Sequence, residues 1–539
     1  MRSAIPRRRR RRYEGLNDVR ADRLSFLFIV SSWVVSVLVF IGFTCAPVWV
    51  GELFGSTAVL LFAVATWISV GSVVVYISDR LRFPVLTFLL VLACAFSLIN
   101  DNHDVRLLPV TEPATGSRTL RAALEAWHAA VDRSAPLRAG VRRPMYLVAS
   151  AGGGIRAAYW TAAVLGELEN RSRASGASFA SHTFLVSGVS GGSLGELAFL
   201  GLVHQTPRSD RTFRANTRLF LGRDFLAADL ARMAYGDLLQ RFLPPPFHCF
   251  DRAAALEDSW SSGWKRSFDS DLFDAPTSAL FDGVGVRVVS MPHFVLNGTL
   301  VETGQRVVTS DLEIPSRPKA EGGPRGRSKI GTNMLDVVLA AEKLKHHAIR
   351  ISTAAHQSAR FTYFSPAGRF PDGTHVVDGG YFENSGSATL MDAVRLLKNQ
   401  MPAGWNVDLR VILINNDPLK PQPAVPKQRF MTEPLSPVLT LLNTRDARGT
   451  YAVEFTYADL GTTNVFEFNL YQRPDNRTNP PAAIPLGWTL SKAAMDEMDY
   501  QLNQPFDASP SEQVTNSVTV ANILAGLPPL LHGSAVAPP

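Results

Sequence analysis

The chain has 539 residues, of which 46% are hydrophobic and 19% charged. This composition excludes a disordered and a collagen-like chain, and the length suffices for more than one domain. Of the net charge of +7, residues 1–23 carry +6, because nine arginines face three acids there. The nearly neutral remainder predicts no nucleic-acid-binding surface. Cys45, Cys94 and Cys249 lie far apart, without the spacing of a metal site, a redox pair or a disulfide scaffold.

Three uncharged stretches near the N terminus predict a membrane region within residues 24–104. Residues 24–46 and 56–78 are 23 residues each, about 34 Å long as helices, and a hydrocarbon core is about 30 Å thick. Residues 83–99 form a third stretch of 17 residues, which is at the short end of the spanning range. We therefore expect a bundle of about three transmembrane helices.

Flanking charges predict how these helices are oriented. Residues 7–12 are all arginine, and the second loop carries Arg80 and Arg82. Since Lys and Arg near helix ends hold those ends in the cytoplasm, residues 1–23 are expected to be a cytoplasmic tail. The protein is then an integral membrane protein, which we place in the inner membrane of a bacterial cell. Three crossings put the domain that follows on the extracytoplasmic side, whereas two leave it in the cytoplasm.

Residues 105–144 are expected to form a helical connector. Leu120, Leu124, Trp127 and Val131 recur at spacings of four, three and four residues, which is typical of an amphipathic helix. Such a helix can pack on the membrane surface or on the next domain.

The remaining chain is assigned to a catalytic domain, residues 145–500, and a C-terminal tail, residues 501–539. Short apolar runs alternate with Gly-rich turns and helical patterns in the domain, which favours βα units and a mainly parallel sheet. Residues 313–330 are rich in Pro, Gly and Arg and are expected to be an exposed insertion. The tail is expected to fray.

A glycine triplet follows the first predicted strand of this domain, residues 145–150. Gly152, Gly153 and Gly154 precede Ile155, Arg156 and a helical stretch. Backbone N–H groups that converge at the positive end of a helix suit an anion or an oxyanion. A tight turn that needs glycine only for its backbone angles is the alternative. The dinucleotide and phosphate-loop patterns are both absent.

A second glycine-rich turn surrounds Ser190. It reads Gly188-Val189-Ser190-Gly191-Gly192, between an apolar strand and a helical stretch. This is the G-x-S-x-G nucleophile elbow, in which the flanking glycines permit a strained turn that exposes the serine hydroxyl. Ser190 is therefore the candidate nucleophile.

A third turn places Asp378, followed by Gly379 and Gly380, at the end of an apolar strand. The carboxylate either caps its own turn or acts as a base that accepts the Ser190 proton or orients a water. The sequence by itself does not decide between these roles.

Taken in order, residues 152–156, 188–192 and 378–380 resemble the patatin-like phospholipase family, over about residues 145–500. The resemblance implies a three-layer α/β/α domain with a mainly parallel sheet. It also implies a Ser–Asp dyad, with Ser190 as the nucleophile and Asp378 as its base.

The same resemblance assigns the oxyanion hole to the backbone of Gly152, Gly153 and Gly154, with Arg156 nearby. Residues 292–304 and 351–366 fit more weakly. One departure concerns the loop that carries the glycines, since the family usually has an Asp before them and this chain has Ser150-Ala151.

A Ser–His–Asp triad is the strongest rival arrangement. In an α/β-hydrolase the histidine follows the acid in the chain, and the only histidine after Asp378 is His532, near the C terminus. His356 and His375 are interpreted as structural or surface residues, and residues 346–347 as a solvated helix end.

These patterns predict a membrane-anchored serine acyl hydrolase that cleaves ester bonds of phospholipids or related lipids. No cofactor or metal is required, and the expected partners are a lipid substrate and the bilayer. Two alternatives stay open: an inactive lipid-binding or scaffold protein, and an acyltransferase that uses the same dyad. The sequence leaves the lipid head group, the acyl position and the oligomeric state open.

Overall fold

A computed structural model gives the fold of the chain. Some predictions concern residues outside the part of the chain that the structure describes. They are residues 1–18 of the expected tail, residues 316–330 of the expected insertion, and His532. The structure describes residues 19–109, 118–138, 140–205, 211–283, 288–315, 337–361, 364–419, 432–471, 482–487, 489–503 and 515–531.

The N-terminal region forms three apolar helices, α1 (Val19–Cys45), α2 (Pro47–Leu81) and α3 (Val85–Phe96). In the described chain, α1 and α2 are long and apolar enough to cross a membrane. The expected third span is corrected to a short helix, because the 12 residues of α3 cover about 18 Å.

The expected loop between the first two spans is also corrected, because residues 47–54 are helical. Pro47 occupies the first turn of α2, where its missing N–H costs no hydrogen bond. Gly55 adopts the non-helical angles φ 75° and ψ 162° within α2, so α2 consists of two helical segments that meet at a kink there.

The helices of the domain surround its sheet on both sides. A π-helical turn, Met233–Asp237, joins α9 to α10. Short 3-10 turns cover His248–Phe250, Leu272–Asp274, Thr277–Phe281, Gly379–Tyr381 and Thr462–Asn464. The α-helices are α4 (Leu120–Ser134), α5 (Gly154–Ala174), α6 (Phe179–His182), α7 (Gly191–Gln205), α8 (Phe213–Leu221), α9 (Leu226–Arg232), α10 (Leu238–Gln240), α11 (Arg252–Phe268), α12 (Ala340–Lys343), α13 (Ile351–Ser358), α14 (Ser387–Gln400), α15 (Thr432–Leu460), α16 (Lys492–Asn503) and α17 (Asn516–Ala525).

The strands build one nine-stranded, mostly parallel sheet, and a separate parallel pair joins β1 to β6. The order in the large sheet is β11-β10-β2-β3-β4-β5-β7, with β9 on β4 and β8 on β9. Antiparallel pairs are β4 with β5, β4 with β9, and β8 with β9. The strands are β1 (Arg118–Thr119), β2 (Arg143–Ser150), β3 (Thr183–Val189), β4 (His293–Leu300), β5 (Arg306–Ser310), β6 (Leu312–Glu313), β7 (Val338–Leu339), β8 (Gly368–Arg369), β9 (His375–Asp378), β10 (Val407–Leu419) and β11 (Val465–Tyr471).

The central strand β2 shows how this sheet is buried. All eight of its residues are buried, as expected of a parallel strand covered on both faces. Tyr146 and Val148 pack in one apolar cluster with α5 and α7. Met145 and Leu147 point to the other face and pack with α4 and α14. The prediction of an α/β domain with a mainly parallel sheet is confirmed.

Two strands meet end to end beside β4. Val189, the last residue of β3, pairs with Asn297, and Asp378, the last residue of β9, pairs with Gly298. Because these partners are neighbours on β4, the ends of β3 and β9 lie next to each other. This register brings Ser190 and Asp378 together from positions far apart in the chain.

The expected amphipathic helix of the connector is confirmed as α4. Leu120, Leu124, Trp127 and Val131 are buried, and Trp127 Nε1 donates a hydrogen bond to the Ser181 carbonyl at 3.0 Å. The helix therefore packs on the α/β domain.

The expected fraying of the C-terminal tail is wrong for residues 515–531. Val520 and Ile523 of α17 are fully buried. Tyr146 Oη donates to the Ile523 carbonyl at 3.1 Å, which ties α17 to the central strand. The physical reason is that α17 covers apolar surface of α5 and β11 that would otherwise face water.

Candidate active site

Ser190 lies at a sharp turn between β3 and α7. Its φ of 53° is in the left-handed region that side chains rarely adopt, as expected of a nucleophile elbow. A Cβ at Gly191 would overlap the carbonyl oxygen of Gly154, so the turn can approach the glycine triplet only with glycine there. Cβ atoms at Gly188, Gly192 and Gly380 would also come within 3 Å of neighbouring atoms.

Asp378 ends β9 beside this turn. Its Oδ1 accepts the Gly380 N–H at 2.7 Å, and Gly379 packs so closely on the Asn297 carbonyl that a Cβ would overlap it. Asp378 Oδ2 is buried and makes no hydrogen bond of normal geometry with the described residues. This oxygen is therefore the one available to accept a proton from Ser190.

Burial sets the acidity of Asp378. It raises the pKa of this carboxyl to about 6, although interactions with the Ser190 hydroxyl and the Gly380 N–H act in the opposite direction. The nearby positive charge of Arg445 lowers the pKa as well. A base with a pKa near the working pH is well matched to proton transfer.

The glycine triplet lies across the cavity from the dyad, and its three N–H groups differ. The Gly152 N–H donates to the Asn384 carbonyl at 2.9 Å. It is therefore not free for an oxyanion, which corrects the assignment of this residue to the hole. For Gly153 and Gly154, no described acceptor takes the backbone N–H. These two groups stand at the N terminus of α5, which favours negative charge.

Two asparagines hold the triplet in place. Asn416 Nδ2 donates to the Ala151 and Gly152 carbonyls at 3.0 and 2.8 Å, and Asn384 Nδ2 donates to the Gly152 carbonyl at 3.2 Å. Arg156 does not line the cavity. Its Nε donates to Asn416 Oδ1 at 3.2 Å and its Nη2 pairs with Asp417, so Arg156 orients the loop.

Buried hydroxyl groups support the elbow from below. The Ser190 N–H donates to Ser358 Oγ at 2.9 Å, and Ser358 Oγ donates to the Asn297 carbonyl at 2.6 Å. The residue that bears the nucleophile is thus tied to α13 and β4. These bonds help to hold the strained φ of Ser190.

A buried carboxyl group joins the elbow to the triplet. Ser150 Oγ donates to Glu196 Oε1 at 2.6 Å, and Glu196 is fully buried in α7. Burial raises the pKa of Glu196 well above its usual value, and the bond from Ser150 offsets this only in part. Burial therefore favours the neutral acid form of Glu196.

The dyad and the triplet line one cavity of about 360 Å³. Its apolar walls include Leu226, Phe361, Phe364 and Leu486. Three of these residues are partly exposed: Phe361 at 46%, Phe364 at 43% and Leu486 at 64%. The outer part of the cavity is therefore an apolar surface that a ligand can contact.

None of the described histidines considered in the sequence analysis forms a hydrogen bond with Ser190 or Asp378. His356 is buried between Glu257 and Ser365, and His375 bonds Glu302 and Asp101. Residues 346–347 are exposed after α12. The interpretation of these histidines as structural or surface residues is confirmed. Among the described residues, no group of three or more His, Cys, Asp or Glu could hold a metal ion.

Several residues of the site escaped the sequence analysis. Asn416 had a usable signal, since it is a polar residue at the carboxyl end of the apolar strand β10, where ligands of parallel sheets bind. Ser358, Asn384 and Glu196 had none, because only the tertiary structure brings them to the elbow and the triplet.

Comparison with known proteins leaves the family open. No protein-family model and no curated protein matches the chain. Among solved structures, the crystal structure of VipD from Legionella pneumophila is similar over 72% of this chain and 71% of that chain, with 10% sequence identity and a TM-score of 0.26. So low a score carries no argument, and the chemistry must be inferred from the geometry above.

Proposed function

We propose that this protein is a membrane-anchored serine acyl hydrolase of the patatin-like kind, acting on ester bonds of phospholipids or related lipids. The observation that carries the proposal is the meeting of Ser190, Asp378 and the N–H groups of Gly153 and Gly154 in one cavity. A nucleophile, its base and an oxyanion site are the three parts that acyl transfer requires.

The reaction follows from these positions. Asp378 takes the hydroxyl proton as Ser190 Oγ forms a bond to the ester carbonyl carbon. The Gly153 and Gly154 N–H groups stabilise the oxyanion. Collapse of the tetrahedral intermediate breaks the ester C–O bond, and the leaving alcohol takes the proton from Asp378. Water, deprotonated by the same carboxylate, then attacks the acyl-enzyme. The bond from the acyl carbon to Ser190 Oγ breaks as this oxygen takes the proton from Asp378, and the fatty acid is released.

The missing Asp before the glycines fits this proposal. In this chain a carboxyl group from α7 reaches the same loop, because Glu196 accepts a hydrogen bond from the Ser150 hydroxyl. Together with Asn416 and Asn384, it gives the triplet an ordered frame without the usual Asp.

A lipid substrate is supported by where the cavity lies. Leu226 lines it and begins α9, and α9 packs against α2 through Ala227, Leu230 and Ala231. A long apolar acyl chain is also the ligand that the aromatic cavity walls favour.

Labelling with a fluorophosphonate probe tests the hydrolase. We expect labelling of the full-length protein in membranes, none in Ser190→Ala, and at least about a tenfold loss in Asp378→Asn. Ser175→Ala, at the end of α5, is the matched control. Without labelling of a folded native protein in the presence of lipid, the hydrolase proposal falls and an inactive lipid-binding protein remains. If a labelled protein transfers the acyl group to an alcohol in preference to water, it is an acyltransferase.

A further inference from the structure

A second cavity of about 560 Å³ adjoins the active site. The two cavities share the same two chain segments as walls. On β9, Val377 lines the second cavity and Asp378 lines the active site. After α13, Ser365 lines the second cavity and Phe364 lines the active site. A ligand can therefore occupy the second cavity while its ester bond lies near Ser190.

The second cavity is rich in positive charge. Three arginines line it, Arg241, Arg252 and Arg360, and Asp237 is the one acid among the described residues that line it. This carboxylate already binds Arg241 at 2.8 Å and pairs with Arg252. His103 also lines the cavity, and burial lowers its pKa, which disfavours its charged form.

Arg360 is the least satisfied of these cations. It is 1% exposed, and its Nη1 donates to the Pro366 carbonyl at 3.1 Å. Its Nε and Nη2 make no hydrogen bond with the described residues. Its Nη2 forms an ion pair with Glu257 Oε1 at 3.8 Å, which is beyond hydrogen-bond distance, and this oxygen already accepts a hydrogen bond from His356. Buried donors without acceptors cost free energy, which an anionic ligand would recover.

The backbone leaves room for this guanidinium. A Cβ on Gly368 would lie 2.5 Å from Arg360 Cζ, so a larger residue would displace the cation. The Asp378 N–H donates to the Arg360 carbonyl at 3.1 Å. The arginine is thus directly attached to the strand that carries the catalytic base.

The cavity also lies beside the apolar N-terminal helices. Its wall includes Met233 and Asp237 of the π-helical turn, which packs against α1 and α2 through Met233 and Ala234. Asn100 and Asn102 follow α3 and bond the segment after this turn, with Asn102 Oδ1 accepting from Arg241 Nη2 at 2.9 Å. If α1 and α2 cross a bilayer, the cavity therefore lies close to the membrane.

We propose that this arginine-lined cavity binds the phosphate group of an anionic phospholipid whose ester bond is cleaved at Ser190. Phosphate oxygens suit the planar donors of arginine, which bind them in pairs. This inference rests on the proposed function for its substrate, but the recognition of the anion can be tested separately.

The first experiment measures specificity with full-length protein in detergent. The quantity is the ratio of kcat/KM for phosphatidylglycerol to kcat/KM for a diacylglycerol with the same acyl chains. We expect Arg241→Gln to lower this ratio about tenfold, the worth of one charge-assisted hydrogen bond. Arg218→Gln is the matched control, since Arg218 is 30% exposed against 33% for Arg241 and also pairs with an aspartate. Equal ratios in both variants would overturn the proposal.

The second experiment measures binding without turnover. Dihexanoyl phosphatidylglycerol, dihexanoylglycerol and inorganic phosphate are titrated calorimetrically into Ser190→Ala protein, with and without Arg241→Gln or Arg360→Lys. Tight binding of the phospholipid alone, weakened about tenfold by either arginine change, supports a lipid head group. Equal binding of inorganic phosphate assigns the cavity to a free phosphate. If the affinity is unchanged by Arg241→Gln and by Arg360→Lys, the cavity is not an anion site.

The two experiments separate the two proposals. If no ester is hydrolysed while phospholipid binding depends on Arg241, the hydrolase fails and the anion site stands. If esters are hydrolysed with no preference for phosphate in any variant, the hydrolase stands and the anion site fails.

Discussion

Asp378 is the residue whose ionisation should control the reaction. Its carboxylate form is needed to accept the Ser190 proton, and burial raises its pKa to about 6. As the pH falls through this value, the base becomes protonated and the nucleophile is no longer activated.

We therefore expect kcat/KM for a neutral ester to rise with pH and level off above about pH 6, with a slope of one on the acidic limb. A pH series from 4.5 to 9 with a soluble short-chain ester measures this. A limb that is centred near pH 4 would mean that Asp378 is not desolvated in solution.

Glu196 offers a prediction on stability. Its folded-state pKa is raised, so folding above the unfolded-state pKa requires uptake of a proton. The contribution of Glu196 to the free energy of unfolding is complete below its unfolded-state pKa and is lost as the pH rises towards its folded-state pKa. Glutamine has the shape of the neutral acid and no proton to take up.

Glu196→Gln should therefore gain stability relative to the native chain as the pH rises from 5 to 8, by up to about 1.4 kcal/mol per pH unit. Thermal unfolding at three pH values measures the difference. Glu125→Gln, on the exposed face of α4, is the control and should show no such trend. A pH-independent difference for Glu196→Gln would show that this carboxyl is ionised in the folded protein.

At the scale of elements, α17 is the least expected part of the fold. Proline, alanine and serine dominate the sequence around it, yet Val520 and Ile523 are fully buried. Asn516 adds hydrogen bonds to the Asn469 and Gln501 carbonyls at 2.9 and 3.1 Å. This helix therefore closes the side of the domain formed by β11 and α5.

A chain that ends at residue 514 should lose about 3 to 6 kcal/mol of unfolding free energy, the value of two buried aliphatic side chains. A chain that ends at residue 531 keeps α17 and is the matched control. Thermal or denaturant unfolding in detergent compares the two. Equal stability of both truncated chains would mean that α17 does not dock.

At the scale of the whole molecule, the apolar N-terminal helices and the α/β domain form one packed unit. Trp67 Nε1 of α2 donates to the Ala234 carbonyl at 2.7 Å, and the Ser56 N–H donates to Asp224 at 2.8 Å. The first half of α2 thus lies against the domain, and its end at Leu81 is about 21 Å beyond Trp67. The basic loop at Arg80 and Arg82 is therefore distant from the domain.

From this arrangement and the positive-inside tendency we predict that the domain lies outside the cytoplasm, which requires the short helix α3 to return the chain across the membrane. Cys249 is exposed in the domain and serves as a reporter once Cys45 and Cys94 are replaced by serine. In spheroplasts, we expect a membrane-impermeant maleimide to label Cys249, and to label Ser3→Cys only after permeabilisation. The reverse pattern would place the domain in the cytoplasm.

The local sequence determined the mainly parallel sheet, the turn at Ser190 and the amphipathic helix α4. These features depend on short-range rules: apolar periodicity, and glycines where the chain turns sharply or approaches itself closely. Ser190 and Asp378 were identifiable for the same reason, since each follows an apolar strand and precedes or lies within a glycine turn.

Only the tertiary structure decided how these parts meet. The register of β3 and β9 on β4 joins Ser190 to Asp378, and the Asn384 carbonyl takes the N–H of Gly152. The raised pKa of Glu196 and the arginine-lined cavity arise in the same way, because hydrogen-bond partners and desolvation depend on residues far apart in the chain. A short apolar window likewise could not reveal that α17 is buried, since its partners are Tyr146 and β11.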